Sequence, residues 1–162
     1  KPQKEKEEFE IKNAINKSLD LLSLNLKEIE IIKNIQNAKI YGFENELIQV
    51  FINILNNAKD ALKEKVDEDS LRLLLVQTQQ KEEQLILTIK DNAGGISSGA
   101  MPKIFEPYFT TKHKSVGTGI GLSMAHKIIT EQHNASLEVD NETFEYQNQM
   151  FTGACFTITF NI

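Results

Sequence analysis

The chain has 162 residues, of which 40% are apolar, and its formal net charge at pH 7 is −5. This length suits one compact domain with a single core. The acidic balance gives no reason to expect nucleic acid or an anionic membrane as a partner. The single cysteine, Cys155, excludes an internal disulfide and favours a reducing, cytoplasmic setting. The chain has no apolar run of about 18 residues, so the sequence predicts no membrane span.

The first part of the chain predicts a charged linker, two helices and two short strands. Residues 1–10 are rich in Lys and Glu and lack an initial methionine, as expected of a linker within a longer protein. Apolar residues at helical spacing over 11–24 predict an amphipathic helix. Short β-type runs follow around Glu28–Ile32 and Lys39–Tyr41. Over residues 44–65 the helical period is stronger and produces one continuous apolar face.

The second part predicts four more strands and a third helix. Leu71–Gln77 and Gln84–Lys90 have the pattern of a hairpin. A helix is expected from Gly119 to about Gln132, followed by strands over Ser136–Asp140 and Ala154–Asn161. These elements predict an α/β two-layer sandwich (α+β). In it, a mixed, mostly antiparallel sheet of about five strands is covered on one face by three helices.

A polar stripe runs along the predicted second helix, opposite its apolar face. Its members, at spacings of 3 or 4, are Glu46, Gln49, Asn53, Asn57 and Asp60. Asparagine is a poor helix former, so two asparagines one turn apart in a helix interior indicate some other role. An amide oxygen can serve as one of the few protein ligands of a phosphate-bound Mg²⁺. A solvated helix face is the commoner origin of such a stripe.

The sequence DNAGGI (91–96) directly follows a predicted strand. Gly94 and Gly95 permit backbone conformations that are closed to other residues and let a ligand approach the chain. Asp91, at the strand end, could accept a hydrogen bond from the exocyclic amine of adenine, whereas guanine would leave this acceptor unpaired. When the loop is considered alone, an ordinary turn is the favoured interpretation.

A second glycine loop, GTGIGL (117–122), leads into the predicted third helix. Backbone N–H groups at a helix N-terminus form an anion site, which suits a triphosphate. The pattern does not match the Walker A motif, because no G-K-[ST] follows the glycines. Lys112 and Lys114 could reach phosphates as mobile cations, although a solvated basic loop is the commoner reason for such charges.

Five segments in order resemble the nucleotide-binding domain of sensor histidine kinases. This domain belongs to the superfamily (GHKL, or Bergerat fold) that includes type II topoisomerases and MutL-type repair proteins. ELIQVFINILNNAKDAL (46–62) resembles the N box, DNAGGI (91–96) the first glycine box and IFEPYFTTK (104–112) the F box. GTGIGL (117–122) resembles the second glycine box, and GACFTITF (153–160) the closing strand. The resemblance implies that residues 11–162 form the ATP-binding catalytic domain.

The resemblance also implies roles for individual residues. Asn57 would ligate Mg²⁺, Asn53 would contact phosphates or help to hold the metal, and Asp91 would bind the adenine amine. Gly95 would let the base approach the loop. The phosphate end of the pocket would be shaped by Gly117, Gly119, Gly121 and Leu122. A mobile lid over the nucleotide would contain Phe105, Tyr108, Thr110, Thr111 and Lys112. The other expected ATP contacts are Asp60, Ile96, Thr118, Ile120 and Thr157.

Two positions depart from the family pattern. Ala93 stands where many members have glycine, so the backbone conformation of that loop is open to question. Asn53 stands where hydrolytic relatives have a glutamate that activates water. Because an amide cannot act as a general base, Asn53 favours phosphate transfer over hydrolysis.

The resemblance implies a kinase domain that donates the γ-phosphate of Mg-ATP to a histidine on a separate dimerisation domain. None of His113, His126 and His133 is followed by an acidic residue, so we expect the acceptor outside this chain. Further expected partners are a response regulator receiver domain and, for the parent protein, a second copy. The fragment itself is expected to be a cytoplasmic monomer, whether or not its parent is membrane-anchored. The alternatives are an ATPase of the topoisomerase or repair type, and an anti-sigma-type serine kinase or interaction module.

Overall fold

The structure is a computed structural model that describes residues 5–109 and 120–162. Three helices, α1 to α3, and seven strands, β1 to β7, follow one another along these residues. In chain order they are β1 (Glu7–Glu10), α1 (Ile11–Leu21), β2 (Glu30–Ile35), β3 (Lys39–Gly42), α2 (Glu44–Lys65), β4 (Leu73–Lys81), β5 (Gln84–Asp91), α3 (Gly121–Lys127), β6 (Ser136–Tyr146) and β7 (Gln149–Asn161). A 3₁₀ turn occupies Met101–Lys103, and α3 continues into a π-helical segment, Ile128–Gln132.

The main sheet has five strands in the order β2-β4-β5-β7-β6. The β2–β4 pair is parallel, and the other three pairs are antiparallel. The predicted fold class is therefore confirmed: a mixed, mostly antiparallel sheet with three helices in the chain. None of the described helices is both long and apolar enough to cross a membrane.

Two segments form strand where the sequence pattern did not predict it. Glu7–Glu10, expected to belong to a linker, pairs with Lys39–Gly42 as a separate two-stranded antiparallel sheet. The last hairpin is also longer than expected, since β6 reaches Tyr146 and β7 begins at Gln149. Both segments are largely polar and exposed, so they lack the alternation of apolar residues by which a half-buried strand is recognised.

Helix α2 lies against the main sheet through its apolar face. Leu47, Val50 and Ile54 have no exposed surface, and Phe51 is 1% exposed. Fully burying a side chain of this size stabilises the fold by roughly 1.5–3 kcal/mol. This burial fixes the rotation of α2 about its axis. The polar stripe on the helix is thereby held in one direction, towards the loops that follow β5 and precede α3.

Candidate functional site

A cavity of about 190 Å³ lies between the C-terminal half of α2, the loop after β5, and β7 at Ala154. Four of the predicted site residues meet in its wall: Asn57, Asp91, Gly95 and Ile96. The other lining residues are Ala61, Glu64, Lys65, Ala93, Ser97, Ala100, Ile104 and Ala154. Apolar walls with a few polar groups are typical of a site for a flat, partly apolar ligand.

Asp91 is the buried carboxyl group of this cavity, and it is 3% exposed. Its Oδ1 atom accepts hydrogen bonds from the backbone N–H of Ala93 at 2.9 Å and of Ala154 at 3.3 Å. Burial raises the pKa of the Asp91 carboxyl, and the two N–H groups and the Lys65 ammonium oppose this rise. Both of these backbone donors reach Oδ1, and neither reaches the second oxygen, Oδ2.

The loop after β5 has the special backbone conformation that its glycines suggested. Gly94 has φ +92° and Gly95 has φ +94°, in the region that favours glycine. The N–H of Gly94 donates to the carbonyl of Thr152 at 2.9 Å. Ala93 is not among the positive-φ residues, so an alanine is accommodated there without strain. The Lys65 ammonium donates to the carbonyl of Gly95 at 3.2 Å, joining the end of α2 to the loop.

The polar stripe of α2 divides into residues with different partners. Asn57 lines the cavity. One turn earlier, the side-chain amide of Asn53 donates to the carbonyl of Gly121 at 3.0 Å, and its oxygen accepts from Gln49 at 3.2 Å. Asp60 forms an ion pair with Lys59 at 2.8 Å and is not among the lining residues. The amide oxygen of Asn53 retains a second lone pair for a ligand.

The start of α3 lies beside Asn53. Asp91 lies instead at the cavity, which Asn57 lines. The carbonyl of Ile120 accepts hydrogen bonds from the backbone N–H of Met124 at 2.9 Å and from the Ser123 hydroxyl at 2.8 Å. Leu122 packs against the core. The predicted site therefore has two ends, with Asp91 at one and Asn53 with Gly121 at the other. The predictions at Thr110, Thr111, Lys112, Gly117, Thr118 and Gly119 lie outside the described residues.

Comparison with known proteins assigns this chain to a family. Residues 42–162 match the family described as "Histidine kinase-, DNA gyrase B-, and HSP90-like ATPase". The chain belongs to this ATPase family. The resemblance proposed from the five boxes is thereby confirmed, and ATP is the nucleotide that the family implies.

The curated relatives of this ATPase domain include a two-component sensor and a sporulation kinase. It is 38% identical over 121 residues to the two-component sensor PprA of Pseudomonas aeruginosa, covering 72% of this chain and 13% of that protein. It is 34% identical over 147 residues to sporulation kinase A of Bacillus subtilis, covering 87% of this chain and 23% of that protein. The domain thus spans less than a third of the length of these relatives.

Solved structures share the fold of the ATPase domain. The mycobacterial sensor histidine kinase MprB has a TM-score of 0.79 at 22% identity, with 96% of this chain and 97% of that chain covered. The catalytic domain of histidine kinase ThkA has a TM-score of 0.77 at 23% identity, with 98% and 96% covered. At these identities the likeness concerns the fold, and it extends over almost the whole of each chain.

The F-box segment of the ATPase domain is anchored at Phe105. The Phe105 ring lies 4.9 Å from the His126 ring and makes an edge contact with Phe156 at 6.3 Å between centroids. Tyr108 is instead 76% exposed, with φ +65°. Of the residues predicted for the lid, the structure thus describes one that packs against the core and one that faces solvent.

Thr157 is a predicted ATP contact that the structure does not bring to the cavity. Successive side chains of a strand point to opposite faces, and Ala154, Phe156 and Ile158 are the ones that join the core beneath the helices. Thr157 lies on the other face, with its hydroxyl 3.8 Å from the sulfur of Cys155. On β7 it is Ala154 that lines the cavity.

Several lining residues were missed by the sequence analysis. Ala61, Glu64 and Lys65 follow Asn57 by four, seven and eight residues, so they continue its stripe along α2. Helical spacing alone could have indicated these three. Ser97, Ala100 and Ile104 lie in an irregular segment with no periodicity, so only the tertiary structure reveals their place.

Proposed function

We propose that this ATPase domain is the catalytic domain of a two-component sensor histidine kinase. It would bind Mg-ATP and donate the γ-phosphate to a histidine on a separate dimerisation domain. The observation that carries the proposal is the meeting of buried Asp91 and half-buried Asn57 at one cavity. The sensory histidine kinase/phosphatase NtrB, among the curated relatives, supports histidine as the acceptor.

The shape and chemistry of the cavity fit the adenine of ATP. Its volume of about 190 Å³ is below the roughly 300–1,000 Å³ of pockets that hold whole drug-sized ligands. A base would fill such a space, with Ile96, Ile104 and Ala154 as apolar walls. The free oxygen of Asp91 would accept a hydrogen bond from the exocyclic amine, which guanine lacks at that position. The phosphates would then extend along α2 towards Asn53 and Gly121.

Asn57 fits the role of a Mg²⁺ ligand. Mg²⁺ bound to phosphates commonly keeps several waters and takes only one or two protein ligands, all through oxygen. The amide oxygen of Asn57 is such a ligand, and it lies in the wall that the base and the phosphates would share. The bound metal would supply charge neutralisation for the transferring phosphoryl group.

Transfer to a protein side chain is favoured over hydrolysis by the residue at position 53. Asn53 already donates to the Gly121 carbonyl at 3.0 Å, and its amide cannot remove a proton from water. This domain would therefore bind and position ATP, while the attacking imidazole comes from the dimerisation domain. Within a homodimeric, cytoplasmic kinase module, the phosphohistidine would then supply a response regulator receiver domain. A solved structure of the kinase ThkA is in complex with the response regulator protein TrrA.

The first test is calorimetric titration of ATP, ADP and GTP, with and without Mg²⁺. Native protein, Asp91→Asn and the exposed control Asp69→Asn would be compared. We expect binding selective for adenine, and roughly 5–150-fold weaker ATP binding in Asp91→Asn, since the buried acceptor contributes about 1–3 kcal/mol. The control should match the native protein. Native protein that binds no nucleotide would refute the proposal.

The second test addresses the acceptor. The domain would be joined to a histidine-bearing dimerisation hairpin from one of the sensor kinase relatives and supplied with labelled ATP. Acid-labile label on the hairpin histidine is the expected result. Rapid steady-state ATP hydrolysis without such label would instead favour an ATPase of the topoisomerase or repair type.

A further inference from the structure

Asn141, on β6, contacts the loop that follows β5. Its Oδ1 accepts a hydrogen bond from the backbone N–H of Ile96 at 2.8 Å. Its Nδ2 donates to the carbonyl oxygen of the same Ile96, also at 2.8 Å. The side-chain amide thus makes the donor and acceptor pair that a neighbouring strand would make with this residue. One side chain satisfies both backbone groups of a residue in the cavity wall.

Gly95 provides the space for this contact. A Cβ atom built on Gly95 would lie 2.8 Å from Oδ1 and 3.2 Å from Nδ2 of Asn141. The bare side of Gly95 therefore faces the Asn141 amide. This contact is a further reason for glycine at this position, besides the expected approach of the base. Gly95 also has φ +94°, so the loop has two separate reasons to require glycine.

The hairpin that carries Asn141 is fixed at several points. Besides the bond from Gly94 to Thr152, the Tyr146 hydroxyl near the hairpin tip donates to the Glu30 carboxylate on β2. The Lys90 ammonium pairs with Glu142 at 3.1 Å and lies over the Phe144 ring at 5.0 Å. Strands β2 and β6 form the two edges of the main sheet. Because these contacts fix the hairpin, a residue on it can hold the loop after β5 in place.

We propose that Asn141 is a positioning residue for nucleotide recognition. By fixing both backbone groups of Ile96, it preorganises the cavity wall formed by Gly95 and Ile96 before the base arrives. This inference rests on the proposed function, and it names a residue outside the five boxes. Without Asn141, the cost of ordering the loop would be added to binding. We expect Asn141→Ala to bind ADP roughly tenfold more weakly, on the scale of one or two lost hydrogen bonds.

The contact and its effect can be measured separately. Amide hydrogen exchange by NMR reports the Ile96 N–H bond, and calorimetry with ADP reports affinity. Asn141→Ala should speed exchange at Ile96 and weaken ADP binding. Asn141→Asp keeps an acceptor for the Ile96 N–H but loses the donor to its carbonyl, so its exchange rate should be intermediate. The control, Thr143→Ala, removes the 3.0 Å contact between the Thr143 and Thr152 hydroxyls on the same hairpin and should change neither quantity.

A double-mutant cycle with Gly95→Ala tests the shared space. The added methyl group meets the Asn141 amide in the native protein but not in Asn141→Ala, so the alanine at 95 should cost less in that background. Costs that simply add would contradict the contact. Faster exchange at Ile96 with native ADP affinity would overturn the positioning role alone. A native protein that binds no ADP would refute the proposed function, and the role of Asn141 in recognition with it.

Discussion

The burial of Asp91 lowers the stability of the folded protein when the carboxyl is ionised, although the carboxyl is suited to binding a ligand. It is 3% exposed, and burial raises the pKa of its carboxyl above the ordinary value of 3.8. The ionised form is therefore less favourable in the folded protein than in the unfolded chain. A carboxylate remains suited to accepting a hydrogen bond from an adenine amine. The cost of keeping an acid in this place is consistent with a role in binding.

This effect of burial predicts how the stability of Asp91→Asn depends on pH. Because the folded-state pKa is raised, the contribution of Asp91 to stability is complete below pH 3.8 and is lost as pH rises through the folded-state pKa. An amide does not ionise, so it escapes that loss. We expect the unfolding free energy of Asp91→Asn, relative to native protein, to increase between about pH 4 and pH 7. Urea unfolding across this range measures the difference, and a difference independent of pH would contradict the assignment.

His133 shows that a histidine in this domain can be wholly structural. Its Nε2 accepts the backbone N–H of Phe43 at 3.0 Å, and its Nδ1 lies 3.1 Å from the carbonyl oxygen of Ile128. Burial lowers the pKa of the ring, which favours the neutral form that this pair of contacts requires. It therefore connects the start of α2 to the end of the π-helical segment.

The backbones of β5 and β7 lie close together at Asp91 and Gly153. A Cβ atom on Gly153 would lie 1.7 Å from the backbone carbonyl oxygen of Asp91 and 2.7 Å from its Oδ1. No side chain fits there unless the backbone moves. The glycine thus lets β7 bring the Ala154 N–H to the carboxylate of Asp91, so a contact between two strands determines the direction of a binding group.

Gly153→Ala is accordingly expected to be among the most damaging alanine substitutions in the domain. Overpacking a core typically costs about 1–3 kcal/mol, and a clash with backbone should lie at or above the upper end of that range. Chemical denaturation would show the loss as a lower midpoint. The matched control is Gly99→Ala, because a Cβ atom at Gly99 meets nothing within 4 Å. Equal midpoints for the two variants would contradict this packing.

Across the whole molecule, the site is assembled from α2, the loop after β5, β7 and the start of α3. The described part of this domain presents no histidine to the cavity, since Phe105 packs on His126 and His133 is held by backbone groups. In the proposed kinase, nucleotide binding and phosphate acceptance would lie on separate domains, and the positioning of the two domains would determine the rate.

We therefore expect the isolated domain to bind ATP but to release phosphate at close to the uncatalysed rate. Joining it to a dimerisation hairpin with the acceptor histidine should restore transfer. The same hairpin with His→Ala should restore neither transfer nor hydrolysis. Phosphate release and labelled protein can be followed in parallel. Substantial multiple-turnover hydrolysis by the isolated domain would contradict this division of roles.

Local patterns in the sequence predicted much of this architecture. The apolar period over 44–65 gave α2 with the observed bounds, because a helix must bury one continuous face. Alternating apolar residues predicted β7 from Ala154 onward, because every second side chain of a strand points to the same face. The role of Asp91 was implied by the resemblance of its loop to the first glycine box. Asn53 and Asn57 stood out because asparagine runs against helix propensity. Such exceptions are visible in sequence, because they need a reason beyond secondary structure.

Contacts between distant segments were decided only by the tertiary structure. The bond from Asn141 to Ile96 joins residues 45 positions apart, and it follows from how far the hairpin extends beyond β5. The pairing of Glu7–Glu10 with β3 likewise depends on strand register. A periodic pattern shows which residues of an element share a face. It does not show which other element will cover that face, because that choice is made by packing of the whole chain.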